Sequence, residues 1–551
     1  KQMQMTGVDD PQHEDPFLQS ASQLVERGAP DAQGDGAYLR YNGADHVVIQ
    51  GTDGNDRIVA GGGDDTVWGD AGDDRIEAGY GVDKINGGEG DDIITNSGTD
   101  IGEVDMLKGD EGNDVIHGGS GAALIFGGRG KDFLVTGPDG SEIRAGMGDD
   151  FLLGGDGPDV LFGNEGHDWV EDKSRFEYIA GDNGELFFNS TVIGHDILNG
   201  GNGDTDYDAD SGDDIMVAGE GIQKNIGMWG HDWVIHKGQN VAADADMNVE
   251  VFTTLPLEVL RDRFSQVEAL SGWVQDDILR GDNRSNEEEG ATPIVADPTP
   301  EGNFIYNELD QAGIDRIDGL DQLITPDMMR NAEYWADGSG DEKLVFTGGN
   351  ILLGGGGSDT IEGRGGDDVI DGDAWLNVRI AIMTNRDGTG NEIATVDSMD
   401  GPVTLTIDGA EVTRPLSAWM VEGRINPGQL QMVREILEDE SGIDTAVYWG
   451  DRAAYEIAVD EDTGRLTVAH VDVDDAAVDP VSGQNRVSDG TDLVSNIEVL
   501  SFGDSDLQVI TGTNGNDVGA TRLNGTEGDD ILIGLAGNDN LLAGGGDDLV
   551  Y

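Results

Sequence analysis

The sequence contains no cysteine among its 551 residues. Disulfides and thiolate metal sites are therefore excluded, and an extracellular chain of this size would have to gain rigidity in another way. Aromatic residues make up only 6% of the chain, poor material for one large globular core. The shortage suits a solenoid, in which each unit buries a thin core against its neighbours. Basic residues are scarce as well: 31 Lys and Arg face 112 Asp and Glu, a formal charge of −81. Nucleic acid is a poor partner for such a chain, because neutralising phosphates takes clustered cations. No apolar run reaches transmembrane length, and no signal peptide follows Lys1-Gln2-Met3. The sequence stops at Tyr551 inside a repeat, so both ends read as cuts in a longer protein. HExxH, GxSxG, P-loop and CxxCH motifs are missing, and no catalytic residue is assigned.

Glycine is abundant, at 88 residues, and it is periodic. Residues 51 to 95 divide into GTDGNDRIV, AGGGDDTVW, GDAGDDRIE, AGYGVDKIN and GGEGDDIIT. The fourth place is always Gly. The sixth is Asp56, Asp65, Asp74, Asp83 and Asp92, and the eighth is an aliphatic residue, Ile58, Val67, Ile76, Ile85 and Ile94. After a four-residue insertion the phase resumes at Asp105, Asp114, Asp132, Asp150, Asp159 and Asp168, with Ala123 and Ser141 in the two vacant places. A third run holds Asp196, Asp214 and Asp232, with Thr205 and Gln223 between them. Shorter runs carry Asp359 and Asp368, then Asp530, Asp539 and Asp548. A disordered acidic or low-complexity chain needs no such register. Acids held in register at this density argue for bound cations.

The pattern GGxGxDxUx, with U a large aliphatic, resembles the RTX, or haemolysin-type calcium-binding, nonapeptide. The resemblance implies an all-β, right-handed parallel β-roll with irregular excursions, in which each listed aspartate is a Ca²⁺ ligand. The physics agrees with it. Glycines open backbone conformations closed to other residues, and Asp completes a cage for a hard cation that takes six to eight oxygens. The last three residues of each nonamer form a short strand with its aliphatic pointing inward. Two nonamers make a turn, so the eight nonamers from Thr99 to about Glu171 predict four turns, roughly 19 Å of roll. The vacant places predict weak or absent sites near Ala123, Ser141, Thr205 and Gln223. Without the metal the stacked carboxylates repel, so folding is expected to be coupled to calcium. That coupling suits export unfolded through a type I secretion apparatus into a calcium-rich exterior.

Along the chain, residues 1–45 read as a linker or the tail of an upstream domain, 46–171 as roll, 172–193 as a loop excursion and 194–237 as roll. Residues 238–347 read as irregular with short helices, at Pro256 to Phe264 and at Thr325-Pro326, and with an exposed acidic loop from Asn283 to Gly302. Asp277-Ile278-Leu279 and Asp315-Arg316-Ile317 suggest that the edge of the roll stays near. Roll returns over 348–373. Residues 374–510 read as a small α+β insert, with alternating strands, a helix capped by Asn426-Pro427 and bearing Leu430, Val433 and Leu437, and a hairpin at Asp462-Thr463-Gly464. Residues 511–551 are roll again.

Three further features carry chemistry. His167, His195 and His231 occupy the fifth place, where a second metal such as zinc or copper could bind; the alternative is a solvent-facing place that accepts any polar residue. Trp169 and Trp233 are expected to pack under neighbouring loops. Asp204, Asp206, Asp208 and Asp210 alternate like the start of an EF-hand loop but lack its glycine and its final glutamate, so they form either an irregular calcium site or a solvated acidic loop. Asp472 to Asp475 is a weaker case of the same kind.

Residues about 307–510 also resemble the C-terminal region of large secreted bacterial animal-type haem peroxidases that carry RTX repeats. The segments concerned are Gly313 to Leu320, Ile351 to Asp373, Asn426 to Ile436, and DGTDLVSNIEVLSFGD from Asp489 to Asp504. This resemblance places a haem domain upstream and assigns no haem ligand here. Three readings follow: a calcium-dependent structural and secretion region of an extracellular bacterial protein, the accessory tail of a secreted peroxidase, or a surface adhesin that self-associates or contacts cells.

Overall fold

The computed structural model describes residues 4–7, 24–28, 36–99, 103–173, 176–183, 194–251, 261–283, 309–333, 342–472, 488–518 and 522–551. The segment from Pro256 to Phe264 (for the most part), the loop from Asn283 to Gly302 (Asn283 apart) and residues 473–475 lie outside them. The chain forms two compact units, residues 1–214 with 378–433, and residues 215–377 with 434–551.

In the first unit the nonapeptide period becomes a parallel β-roll with two faces. One face carries strands Val47–Gln50, Thr66–Ala71, Lys84–Glu89, Val104–Glu111, Ala122–Arg129, Glu142–Met147, Val160–Glu165, Phe176–Ala180 and Asp204–Asp208. All pair in parallel, in unbroken order. The other face runs from Ala37–Tyr41 through Asp56–Val59, Arg75–Glu77, Ile93–Thr95, Val115–His117, Phe133–Val135, Phe151–Leu153 and Trp169–Glu171 to Ile197–Asn199. Eighth-place aliphatics meet in the middle: Ile58, Ile76, Ile94, Ile116, Leu134, Leu152 and Val170 stand in register and are fully buried. The four turns expected between Thr99 and Glu171 are present as the rungs of Ile116, Leu134, Leu152 and Val170.

Residues 1–45 are more than a linker. Gln4–Gly7 pairs antiparallel with Val47–Gln50, and Val25–Gly28 pairs antiparallel with Ala37–Tyr41, itself the first rung of the second face. These two strands cover the open edges that a parallel stack would otherwise present. The expected loop of 172–193 likewise contains the roll strand Phe176–Ala180.

Residues 378–433 pack on the outside of the second face. Arg75 donates to the Val421 carbonyl at 3.2 Å, Lys131 to the Leu430 carbonyl at 3.1 Å, and the Met399 N–H to Glu171 at 2.9 Å. Lys173 pairs with Asp400. The seventh-place residues Val115, Phe133, Phe151 and Trp169 point outward on this face and are nonetheless buried. Trp169 thus packs beneath a covering segment, as its size suggested.

In the second unit the roll is spliced. Met216, Val234, Leu270, Leu352, Ile370 and Val494 form one buried column of neighbouring rungs. Leu270 and Leu352 stack directly although 82 positions separate them in the sequence. The second column runs Ala245, Leu279, Ile361, Ala446 and Leu500. Roll strands therefore occur inside both stretches read as non-roll: Asp244–Asp246, Ala269–Ser271 and Ile278–Arg280 within 238–347, and Thr445–Val447, Thr491–Ser495 and Val499–Ser501 within 374–510. Glycine counting misses them because none keeps the full set of loop glycines; Ile278–Arg280 retains Gly272, Thr445–Val447 retains Gly442 and Thr491–Ser495 retains Gly490. Asp277-Ile278-Leu279 is a true rung, whereas Asp315-Arg316 lies in the helix Gln311–Arg316.

The Asn426 cap forms, with a capping box to Gln429, but it opens only a 3₁₀ turn, Pro427–Gln429; Leu430–Glu438 is then a strand and not a helix. The spacing of Leu430, Val433 and Leu437 was read with helical period, and the sheet neighbour Ala374–Met383 decides otherwise. The hairpin at Asp462-Thr463-Gly464 joins Tyr455–Val459 to Leu466–His470.

Candidate metal centre

The sixth-place aspartates stand in columns along the edges of the roll. Each gives one oxygen to the backbone one turn earlier. The N–H of Asp56 donates to Asp74 Oδ1 at 2.7 Å, Asp65 to Asp83 at 2.9 Å, Asp74 to Asp92 at 2.7 Å, Asp83 to Asp105 at 2.8 Å and Asp92 to Asp114 at 2.8 Å. The column continues from Asp114 through Asp132, Asp150, Asp168 and Asp196 to Asp214 at 2.7–2.8 Å per step. This ladder fixes both the rotamer of each carboxylate and the pairing of successive turns.

The second oxygen is the informative one. Oδ2 of Asp65, Asp74, Asp83, Asp92, Asp114, Asp132, Asp150, Asp168, Asp359 and Asp368 is buried and takes no hydrogen bond. For Asp74, Asp92, Asp114, Asp132, Asp168, Asp359 and Asp368 it lies over the first-place glycine of its own nonamer; Asp65, Asp83 and Asp150 have Ala60, Ala78 and Ala145 at that place. A methyl group built on Gly69 would sit 2.2 Å from Asp74 Oδ2 and 2.3 Å from the Gly87 carbonyl of the next turn. The same pair of oxygens converges at Gly87, Gly109, Gly127 and Gly163. At these five places a side chain would compete with the oxygens for the same space, whereas Ala60, Ala78 and Ala145 stand at the first place of the Asp65, Asp83 and Asp150 nonamers. A buried cradle lined by a carboxylate and a carbonyl, with no donor, is a place for a hard cation.

Among the described residues no three His, Asp or Glu side chains converge in one place. A cation here would take carboxylates from successive turns and complete its shell from backbone carbonyls, which the glycine loops can turn inward. Without a cation the column is electrostatically unfavourable. Burial, with the like charge one turn on, pushes the Asp65, Asp74 and Asp92 carboxyls up to about 8 and Asp83 up to about 6. Asp359 also rises to about 8. Burial holds Asp114, Asp132, Asp150, Asp168 and Asp368 well above the usual carboxylate range.

Other sequence-assigned ligands differ. Asp56 Oδ2 accepts the Thr52 N–H at 2.6 Å and Asp530 Oδ2 the Thr526 N–H at 2.5 Å. Asp159 Oδ2 accepts from Gly155 and Thr136, and Asp105 Oδ2 from Asn96 at 2.6 Å. In these the protein itself supplies the donor. Asp539 and Asp548 accept the N–H groups of Asp517 and Asp530 at 2.9 and 3.1 Å. Asp232 is fully buried and donates its N–H to Glu268. At one vacant place the Ser141 hydroxyl accepts the Ala123 N–H at 3.1 Å in place of a carboxylate.

Sequence reasoning placed Asp277-Ile278-Leu279 near the edge of the roll but assigned as ligands none of the acids Asp277, Asp444 and Asp492, which extend the ladder through the spliced unit. Asp277 donates to Asp359 at 2.6 Å, Asp359 to Asp444 at 2.7 Å, and Asp368 to Asp492 at 3.0 Å. Their signals are an apolar residue two places on, as in Asp492-Leu493-Val494, and one glycine each: Gly442 and Gly490 two places before Asp444 and Asp492, and Gly272 five before Asp277. The fifth place is also a ladder, running the other way: Asn55 Oδ1 accepts from Asp73, Asp73 from Asp91, and His195 Nδ1 from Asp213 at 2.7 Å. At these positions it offers a side-chain acceptor, but the same place holds Val82, Ala122, Lys131 and Pro158, which have none. His167 and His195 stack at 5.0 Å, while His231 is fully buried near Trp233 and Phe346 and does not face solvent. Asp204–Asp208 is a roll strand, so the alternating acids follow strand period and do not form an EF-hand loop.

No curated protein matches the chain. Residues 48–76, 68–98, 102–134, 144–171, 346–374 and 519–551 match a family described as the RTX calcium-binding nonapeptide repeat. The matched segments hold the nonapeptide runs alone and say nothing of a peroxidase. The chain thus carries RTX calcium-binding nonapeptide repeats, built as a parallel β-roll.

Proposed function

We propose that this chain is the calcium-binding structural and secretion region of a large extracellular bacterial protein and that it folds on calcium after export. The ligands assigned are the ladder aspartates, with Asp65, Asp74, Asp83, Asp92, Asp114, Asp132, Asp150, Asp168, Asp359 and Asp368 first among them. One observation carries the reading: columns of buried carboxylate oxygens that no protein donor meets, with a carbonyl from the next turn beside those of Asp74, Asp92, Asp114, Asp132, Asp168 and Asp359. Calcium supplies the positive charge between them, and the chain's own part is to orient the oxygens and exclude water. Burying unpaired charge is costly, so the metal free energy becomes folding free energy. Equilibrium dialysis of the purified chain tests this. Several calcium ions bound per chain, displaced poorly by magnesium, are expected; fewer than two at millimolar calcium would end the proposal.

The parent's activity is a proposal at one remove. A haem peroxidase domain upstream, suggested by the likeness over residues 307–510, would give full-length material a Soret band, and haem-free full-length protein would remove it.

A further inference from the structure

Two segments of the spliced unit share a pattern outside the nonapeptide: Ser265-Gln-Val-Glu-Ala-Leu-Ser271 and Ser495-Asn-Ile-Glu-Val-Leu-Ser501. Each turns the edge between two consecutive roll strands, from Arg263–Ser265 to Ala269–Ser271 and from Thr491–Ser495 to Val499–Ser501. Each has a left-handed residue, Gln266 at φ 57° and Asn496 at φ 51°, then a buried Val267 or Ile497. Each then places a glutamate where the ladder requires an aspartate. Glu268 Oε2 accepts the Asp232 N–H at 2.7 Å, and Glu498 Oε2 accepts the Asp444 N–H at 2.8 Å. The backbone agrees too: the N–H groups of Glu268 and Ala269 both reach the Asp232 carbonyl, and those of Glu498 and Val499 the Asp444 carbonyl. Leu270 and Leu500, two places on, are fully buried rungs.

The left-handed residue does the work of a first-place glycine. In an ordinary nonamer the carbonyl over the cradle comes from five positions before the aspartate, as Gly87 precedes Asp92. Here it comes from two positions before the glutamate. A methyl group built on Gly227 would lie 2.1 Å from the Gln266 carbonyl and 2.2 Å from Asp232 Oδ2. One built on Gly372 would lie 2.0 Å from the Asn496 carbonyl and 2.7 Å from Asp444 Oδ2. The edge loop is three residues shorter, and the extra methylene of glutamate lets its carboxylate still reach the ladder N–H. Asn and Gln fit the turn, since a left-handed conformation is costly for most residues with a Cβ and least so for Asn and its like.

We infer that Ser-(Gln/Asn)-(Val/Ile)-Glu-(Ala/Val)-Leu-Ser is an edge clamp. Glu268 and Glu498 are positioning residues that lock Asp232 and Asp444 into the ladder, and Gln266 and Asn496 close the cradle of the preceding rung with a carbonyl. The clamp lets the roll turn an edge between consecutive strands, in register, without a glycine loop. The inference rests on the calcium reading for its metal consequence and on hydrogen bonding alone for its structural one.

The test compares Glu498→Ala, Glu498→Gln and the matching Glu268 variants in the full chain. Gln keeps the acceptor and removes the charge. In calcium, deuterium exchange at the peptides containing Asp444 or Asp232 is expected to quicken about tenfold or more in the Ala variants and to stay at the wild-type rate in the Gln variants. Equilibrium dialysis should show at least one calcium lost in each Ala variant and none lost in Gln. Unchanged exchange in Ala, or exchange and calcium loss in Gln equal to those in Ala, would overturn the clamp. Should an Ala variant fail to fold, the Gln variant decides alone: it must fold and bind calcium as the wild type does. A wild type that binds no calcium, with the exchange pattern as expected, would sink the metal reading and leave the clamp standing.

Discussion

The first unit and the second build the same edge from different sequences. In the first, residues 51–171 advance through successive nonamers, broken by one four-residue insertion, and register follows from the period. In the second, the eighteen-residue step survives in places, as from Met216 to Val234 and from Leu352 to Ile370, but other neighbouring rungs come from Leu270 and Leu352 or from Ile370 and Val494, and no period runs through it. Both nonetheless keep an acid whose oxygen accepts the N–H of the acid one turn earlier, and an aliphatic two places on that points inward. The difference teaches that the ladder and the buried column hold the register, whereas the glycine loop is one of two ways of returning to it.

Four experiments strain this comparison. The largest effect is expected from filling a cradle. Gly87→Ala in the first unit puts a methyl group 2.1 Å from Asp92 Oδ2, and Gly372→Ala in the second puts one 2.0 Å from the Asn496 carbonyl. Each should cost about 3 kcal/mol or more, read from thermal melts in calcium; an effect confined to Gly87 would mean that the spliced edge is built differently. Next come the rungs: Leu152→Ala and Leu352→Ala, both fully buried, should each cost about 2–5 kcal/mol in denaturant titrations of the loaded protein. A Leu352 variant near wild type would show the spliced column to be loosely packed.

The third is pH. In the metal-free fold Asp65, Asp74 and Asp92 hold their protons up to about 8 and Asp83 up to about 6, against about 3.9 when unfolded. A raised folded-state pKa gives stability that is complete below about pH 4 and is lost as pH rises through 6 to 8. Chelated protein should therefore gain β-structure on acidification, while apparent calcium affinity weakens as pH falls below about 8, since protons and metal compete for the same oxygens. Circular dichroism across pH 4–9 reads both trends, and calcium affinity that does not change with pH would contradict them. The smallest effect is expected at Thr526→Val, which removes a hydroxyl bond of 3.0 Å to Asp530 but leaves the Thr526 N–H on Oδ2. It should cost about 1 kcal/mol and leave the number of bound calcium ions unchanged.

Much of this architecture can be read from residue types. Gly, Asp and aliphatic residues at fixed offsets mark most rungs of the first unit, because each of the three has a steric or electrostatic duty that few other residues meet; the rungs of Ile125, Ile143 and Tyr207 lack the Asp, and that of Ile179 lies outside the nonamers. The second unit hides its rungs. Glu268-Ala269-Leu270 and Glu498-Val499-Leu500 fulfil those duties with a shorter loop and a longer acid, and no fixed spacing announces them. The strand Leu430–Glu438 was likewise open to a helical reading until a sheet neighbour decided it. Covering contacts are legible only in hindsight: Phe133, Phe151 and Trp169 recur every eighteenth residue in outward places, where an uncovered roll would carry polar groups. Which aspartates meet a protein donor, as Asp56 and Asp159 do, depends on Thr52, Thr136 and Gly155, whose geometry no pattern states.

The most direct test is far-UV circular dichroism of the chain in excess chelator at neutral pH, followed by stepwise return of calcium. If divalent metal holds the buried carboxylate columns together, the β signal should be absent under chelation and reappear cooperatively as calcium is added. A full β spectrum that persists in chelator and does not respond to calcium would contradict the account.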